Sequence, residues 1–260
     1  MNTEEIIIYG FLNTMIKNLN KKIKILAIIP ARGGSKRIPR KNIKNFAGQP
    51  IIKYSIDAAK ESAIFDEIMV STDDKEVSEI SKSFGAEVPF FRSPENSNDT
   101  AGTAPVILEV LEEYKKLGRE FDYVCCIYPT AVFVTGERLQ KAKQILIDSN
   151  ADSVVPVMRF GYPIQRALKI KKDGKVEMFW PENYSARSQD LEPAYHDCGQ
   201  FYFFKVSSFL KQKLLFMKST ISLEVPESEA QDIDNEEDWK LAEIKFNLIK
   251  NAKKVYQRLP

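Results

Sequence analysis

The sequence predicts a three-layer α/β/α sandwich built on a mostly parallel sheet, with a further segment inserted into it. Three observations carry this expectation. Short apolar runs rich in β-branched residues alternate with stretches of helical periodicity. The first such run ends directly in a glycine-containing basic loop, the position at which strands of these sheets meet their ligands. The alternation breaks after Arg159 and resumes at Gln200. A length of 260 residues is roughly 1.7 times a typical domain, which suits one large domain with an appendage.

The first 21 residues form a leader in which Ile8, Leu12, Met15, Ile16 and Leu19 recur at helical spacing. It reads either as an extra amphipathic helix or, for the part before Met15, as an upstream start. Glu4 and Glu5 stand where a signal peptide carries its basic residues. From Ile23 the run Ile-Lys-Ile-Leu-Ala-Ile-Ile, closed by Pro30, reads as a buried strand. Ile52, Ile56, Ala59 and Ala63 share one helical face, so 50–65 is expected to be a helix, and Glu67 to Ser71 a strand. Asp73 or Thr72 is the expected cap of the next helix, because Glu76 stands three residues after Asp73 in capping-box spacing.

The expected order then runs through a strand over Ala86 to Phe91, a helix from Thr103 to Leu117 stopped by Gly118, a strand over Tyr123 to Tyr128, a helix from Gly136 to Asn150 and a strand over Ser153 to Met158. Within the insertion, about 160–200, Lys169 to Phe179 reads as a strand pair turning at Asp173-Gly174. Gln200 to Val206 resumes as a strand, Ser208 to Phe216 as a helix and Ile221 to Val225 as a strand. The helix from Glu236 to Tyr256 is capped by Asp234 or Asn235. The main domain is therefore expected over 22–250, with 251–260 as helix end and tail.

Composition narrows the function classes. The 38 Lys and Arg exceed the 36 Asp and Glu by two, too small an excess to make nucleic acid the partner. No apolar stretch reaches the length of a membrane span, and a cytoplasmic protein is expected. Cys125, Cys126 and Cys198 are too few and too irregularly spaced for a disulfide framework and read as core thiols. His196 is the single histidine, which excludes a zinc site built from several histidines and points any metal toward oxygen ligands.

The basic residues concentrate between Arg32 and Lys44, with six cations, no acid and the Gly33-Gly34 pair. Glycines let backbone N–H groups approach an anion closely, while Arg32, Lys36 and Lys41 supply charge-assisted hydrogen bonds, so the loop reads as a polyphosphate site. Neither the Walker pattern nor G-x-G-x-x-G occurs, which removes support for P-loop hydrolases and dinucleotide dehydrogenases. A second cluster is Gln231-Asp232-Ile233-Asp234. In an extended segment Asp232 and Asp234 point the same way while Ile233 faces the core, and two carboxylates beside a polyphosphate suit Mg²⁺. The competing reading is that Asp234 only caps the last helix.

With these residues in place the sequence resembles the CMP-sialic acid synthetase (acylneuraminate cytidylyltransferase) family over about 22–250. The resemblance rests on the run from Ile28 to Ile43, on Ser71-Thr72-Asp73-Asp74 and on Gln231-Asp232-Ile233-Asp234. Central stretches 163–168, 176–182, 187–192 and 194–202 are similar to the branch of that family acting on pseudaminic acid. The resemblance implies a nucleotide-diphospho-sugar transferase-like sheet and transfer of CMP from CTP to the anomeric hydroxyl of a nonulosonic acid, releasing pyrophosphate with Mg²⁺ present. It implies catalytic roles for Arg32, Lys36, Lys41 and Asp232. Nucleotide binding would fall to Arg32, Gly33, Gly34, Ser35, Lys36, Lys41, Asn42 and Arg92, the last near cytosine, and Mg²⁺ to Asp232 and Asp234.

The insertion resembles the family's dimerisation extension, which implies a homodimer in which Gln165, Arg166, Arg187 and His196 meet the sugar. Where sialic acid members carry Gln-Pro-Thr-Ser-Pro, this sequence has Tyr128-Pro129-Thr130-Ala131-Val132, which removes an expected sugar contact and favours pseudaminic acid; even there Val132 departs from an expected proline. N-acetylneuraminic and legionaminic acids remain the alternative acceptors, and noncatalytic nucleotide binding the alternative class. A sugar-1-phosphate nucleotidyltransferase would carry a G-x-G-T-R-type loop, and a glycosyltransferase a D-x-D motif near the middle of the sequence. Neither occurs.

Overall fold

The computed structural model describes residues 22–256, so the leader lies outside the described residues. Its main sheet is built from β1 (Ile25–Pro30), β4 (Glu67–Ser71), β5 (Tyr123–Ile127), β6 (Ser153–Arg159), β10 (Phe201–Lys205) and β11 (Thr220–Glu224) in the order β11-β6-β10-β5-β1-β4, and β9 (Tyr195–Asp197) pairs with β6. β1 runs parallel to β4 and β5, and β6 parallel to β11; β10 is antiparallel to both β5 and β6. Two small hairpins stand apart from it, β2 (Asn45–Phe46) with β3 (Gln49–Pro50), and β7 (Leu168–Ile170) with β8 (Val176–Met178), the latter turning through Gly174 as its Asp-Gly pair requires.

The helices are α1 (Ile52–Ser62), α2 (Lys75–Ser83), α3 (Thr103–Lys116), α4 (Gly136–Asp148), α5 (Val206–Gln212) and α6 (Glu236–Tyr256). One sheet face carries α1, α2 and α4 through Ile56, Val77, Leu139 and Leu146; the other carries α3 and α5 through Ile107, Tyr114 and Phe209. β1 is buried on both faces, which is why its sequence is continuously apolar rather than alternating. The three cysteines are buried and free, and burial pushes the Cys126 and Cys198 thiols up to about 12, as suits inert core groups.

A third apolar cluster positions the site. Ile38 of the basic loop and Ile233 between the two aspartates are both fully buried with Phe46, Ile51, Val132 and Trp239. Phe46 meets Tyr54, Trp239 and Phe246 edge to face with ring centroids 5.4–5.7 Å apart. Two loops nearly two hundred residues apart in sequence are thereby nailed to one anchor, with their charged neighbours turned outward.

Three expectations about elements need correcting. Residues 86–91 do not form a strand: the contact is a single bridge, Met69 to Glu87, and Pro89 has no N–H to extend it. The helix after β10 spans 206–212, where Lys213 in a left-handed conformation ends it before Leu214 to Phe216. The cap of α2 is Asp74, whose Oδ1 accepts the Val77 N–H at 2.9 Å, not Asp73 or Thr72. At α6 the alternatives resolve in favour of Asn235. Its Oδ1 accepts the N–H groups of Glu237 and Asp238, while Asp238 accepts from Asp234 and Asn235 in return. The Asp234 carboxylate is therefore left free of capping work.

Candidate active site

A cleft of about 560 Å³ opens at the carboxyl ends of β1 and β5. The basic loop contributes Arg32, Gly34, Ser35, Lys36, Lys41 and Asn42; Arg92, Thr103, Tyr128 and Thr130 line the opposite wall, and Asp232 and Asp234 close one end. The two poles expected from the sequence thus line a single cavity, in which Arg37 and Lys41 of the loop reach Asp234.

The loop is held from behind. Arg40 forks onto Asp74 at 2.6 and 2.9 Å and also reaches Glu76, which holds the Asp74 carboxyl down to about 2. Asn42 donates to the Arg32 carbonyl at 2.9 Å, fixing the loop's two ends to each other. Gly33 departs from its expected role. It does not line the cleft, and its N–H donates to Asp73 Oδ1 at 2.9 Å. A Cβ there would fall 2.6 Å from the Asp74 carboxylate, so this glycine is required for close packing of the loop on the start of α2.

Lys41 ties the poles together. Its Nζ donates to the Ile233 carbonyl at 2.6 Å and stands 3.9 Å from Asp234 Oδ1. Burial pushes the Lys41 ammonium down, against the pull of Asp234 and Asp232. Burial and then the neighbouring Asp234 push the Asp232 carboxyl up. Asp234 pairs with Arg37 at 2.8 Å, a mostly exposed guanidinium against a half-buried carboxylate. Arg92 is 7% exposed; it donates through Nε to Ser71 Oγ at 3.0 Å and through Nη2 to the Ser71 carbonyl, and burial lowers its pKa.

Asp99 is a site residue that sequence reasoning missed. Its carboxylate accepts from Arg32 at 2.6 Å and pairs with Lys36, which together hold it below the usual carboxylate range. It lies in a polar loop with no periodicity, and its partners are more than sixty residues away, so no local signal marks it. Its oxygens stand where an anion would meet the same two cations. Asp99→Asn is expected to lower the KM for a triphosphate ligand about threefold by freeing Arg32 and Lys36. A ligand titration that finds KM unchanged or raised would contradict this displacement.

Gln165, Arg166, Arg187 and His196 are not brought to this cleft within a single copy of the protein. Gln165 donates to the Glu192 carbonyl at 2.8 Å, Arg166 reaches Ser188 at 3.4 Å and Arg187 pairs with Asp190 at 2.7 Å. His196 Nδ1 meets the Asp197 carbonyl at 2.8 Å with its ring against Phe160. The insertion nevertheless differs from the rest of the surface. Ile170, Tyr184, Leu168 and Phe179 are all more than half exposed, and Gln165 Oε1 and Arg166 Nε are buried without a partner.

Asp232 and Asp234 provide hard oxygen ligands beside a cationic loop, the donor set that suits Mg²⁺ when phosphate oxygens and water complete its octahedron. Among the described residues no group of three or more His, Cys, Asp or Glu is placed to hold a metal ion. No helix among the described residues is long and apolar enough to cross a membrane.

A mostly parallel sheet with a cationic loop after its first strand and an aspartate pair at the rim defines a nucleotidyltransferase-like protein. Residues 26–241 match the model of the cytidylyltransferase family, and the chain belongs to that family. It is 39% identical over 226 residues to a pseudaminic acid cytidylyltransferase of Campylobacter jejuni subsp. jejuni, covering 87% of this chain and 97% of that protein. It is 32% identical over 237 residues to the CMP-N,N'-diacetyllegionaminic acid synthase of Legionella pneumophila, covering 88% and 99%. The fold is shared with a CMP:2-keto-3-deoxy-manno-octonic acid synthetase solved with CTP, at a TM-score of 0.63 and 18% identity over 88% of this chain and 99% of that one.

Proposed function

We propose that this protein transfers CMP from CTP to the anomeric hydroxyl of a nonulosonic acid, with pseudaminic acid as its acceptor and Mg²⁺ as its metal. The observation that carries the reading is the placement of Arg32, Lys36 and Lys41 opposite Asp232 and Asp234 in one cleft. Similarity to the Campylobacter protein along nearly its whole length supports the choice of acceptor.

In this reading the sugar hydroxyl oxygen forms a bond to the α-phosphorus, the bond from that phosphorus to the bridging oxygen breaks, and pyrophosphate leaves with the electron pair. The hydroxyl proton passes to Asp232, directly or through water. Such a displacement is accelerated by alignment and charge neutralisation rather than by a covalent intermediate. Arg32 and Lys36 bind the β- and γ-phosphates and stabilise the charge that develops on the leaving group. Lys41 and Asn42 orient the α-phosphate, the N–H groups of Gly34 and Ser35 face the phosphates, and buried Arg92 stands at the base. Asp232 and Asp234 would hold Mg²⁺, which would offset phosphate charge.

The insertion supports a homodimer: its exposed aromatic and aliphatic side chains supply an interface, and Arg187, Gln165, Arg166 and His196 complete the partner's cleft toward the sugar carboxylate and acylamino groups. Purified protein given CTP, Mg²⁺ and each of pseudaminic, legionaminic and N-acetylneuraminic acid is expected to release pyrophosphate fastest with the first. Absence of release with all three would sink the assignment. A sedimentation mass of one protomer at micromolar concentration would remove the dimer from it.

A further inference from the structure

The segment that delivers Asp232 to the cleft is held by long polar side chains that do not themselves line the cleft. Glu227–Glu229 form a short turn after β11, and Ala230 to Asp232 lead from it to the cleft's end. Arg138, in the first turn of α4, has its side chain 13% exposed and donates through Nη2 to Glu229 Oε2. Its Nη1 donates to the Phe133 carbonyl at 2.9 Å and lies 3.4 Å from Gln200 Oε1. Buried Gln200 in turn donates through Nε2 to the Glu229 carbonyl at 2.7 Å. From α6 the Lys245 ammonium donates to the Glu227 and Ala230 carbonyls at 3.1 and 2.9 Å and to Gln231 Oε1 at 3.1 Å.

The guanidinium is a rigid planar fork, so meeting the Phe133 carbonyl and the Glu229 carboxylate together fixes one relative to the other. Both anchors of the fork are tied to the sheet. Phe133 lies in the loop between β5 and α4, and the Gln200 carbonyl accepts the Tyr128 N–H at 2.9 Å just where β10 begins. The residue before Gln200 completes the link. Gly199 packs against Asp232, where a Cβ would lie 3.4–3.6 Å from Cγ and the two carboxylate oxygens. Its φ of +60° and the bond from its N–H to Asp197 Oδ1 at 2.8 Å hold that turn in place. Two consecutive residues thus fix Asp232, Gln200 through the backbone at Glu229 and Gly199 against the side chain. On the other side of Asp232 the backbone is fixed by buried Ile233 and by Lys41.

We infer that Arg138 is a positioning residue for the aspartate pair: acting with Gln200 on Glu229, it sets where the Asp232 carboxylate stands and so sets the affinity of the site for a divalent cation. The inference rests on the proposed cytidylyl transfer and extends it to residues outside the cleft. Arg138 lines no part of the cleft, so its loss changes how readily the cation is held and leaves the groups around the phosphates in place. Losing an outer partner of a metal ligand typically costs 10- to 100-fold in metal affinity. Arg138 acts through the chain rather than on the carboxylate itself, which puts the expected cost at the lower end, about tenfold.

Arg138→Met removes the donors and keeps much of the length, Arg138→Lys keeps a cation, and Glu229→Ala cuts the same link from its more exposed end. Pyrophosphate release is measured across a Mg²⁺ titration at saturating CTP and sugar. Binding of Mn²⁺ in the presence of CTP and without sugar is measured by water-proton relaxation, and thermal melts follow folding. The expected result for Arg138→Met is a rise of about tenfold in both the half-saturating Mg²⁺ concentration and the Mn²⁺ Kd, with kcat at saturating Mg²⁺ within about twofold of wild type. Glu229→Ala is expected to shift both constants the same way, and Arg138→Lys to bring them back within about threefold of wild type. A rate lowered equally at every Mg²⁺ concentration, with both constants unchanged, would mean that Arg138 serves packing alone and overturns the inference. Should Arg138→Met fail to fold, Glu229→Ala decides, and wild-type constants there overturn the link. Pyrophosphate release by the unaltered protein reports separately on the proposed reaction, and Mn²⁺ binding tests the positioning role even without turnover.

Discussion

Asp232→Asn is expected to lower kcat by about 10²–10³, the size typical of losing one charge-stabilising group from a polar transition state, while the protein melts at or slightly above the wild-type temperature. The two halves of this expectation have one cause. Asp232 lines the cleft's end, where partial desolvation and then the adjacent Asp234 work against its charge. In the absence of a cation the folded protein therefore carries a carboxylate it would be more stable without. The neutral isostere relieves that repulsion and keeps the shape, so stability does not fall. Under the proposed reaction function falls because Mg²⁺ would lose a ligand and the sugar hydroxyl its proton acceptor. Pyrophosphate release across a Mg²⁺ titration, set beside a thermal melt, checks both halves. Wild-type turnover in Asp232→Asn would refute the metal role, and a large drop in melting temperature would show that Asp232 is a structural residue instead.

The parts of this site legible in the sequence are those that depend on local pattern. A β-branched run followed by Arg-Gly-Gly-Ser-Lys announces a strand and an anion loop, and the alternation of Asp232, Ile233 and Asp234 announces two carboxylates turned from a buried isoleucine. What stays hidden depends on partners distant in sequence. Gly33 has the look of a phosphate cradle, yet its N–H is taken by Asp73, so the residue that resembles a helix cap serves the loop while Asp74 caps the helix. Asp99 is one acid among several polar residues of a loop and gains meaning only where it meets Arg32 and Lys36. The run 86–91 has the apolar composition of a strand, but a sheet edge needs a partner with free N–H and C=O groups in register, and only Glu87 finds one. The four residues assigned to the sugar are a different case. Their types suit a carboxylate, but in a single copy they bond to neighbours within the insertion, and only the proposed homodimer would carry them to a cleft.

Lys41 and Asp234 are expected to behave as one unit in a double-mutant cycle. Lys41 reaches from the phosphate loop to the Ile233 carbonyl, and its ammonium is close enough to Asp234 for each to depend on the other. In the proposed reaction Lys41→Ala would remove a cation from the α-phosphate and at the same time release the backbone between Asp232 and Asp234. Asp234→Ala removes one of those carboxylates and leaves the Lys41 ammonium, already held down by burial, with less opposing charge. Each single change is expected to cost about 10²-fold in kcat/KM. Independent roles would multiply to a loss of about 10⁴, whereas groups acting together lose most of their effect with the first removal. The double variant is accordingly expected within about tenfold of the weaker single variant. The buried Ile38–Ile233 anchor is untouched by either change, so the melts of all three variants should remain close to wild type. A fully multiplicative loss would mean that the phosphate loop and the aspartate pair work separately, and that the Lys41 bridge serves packing alone.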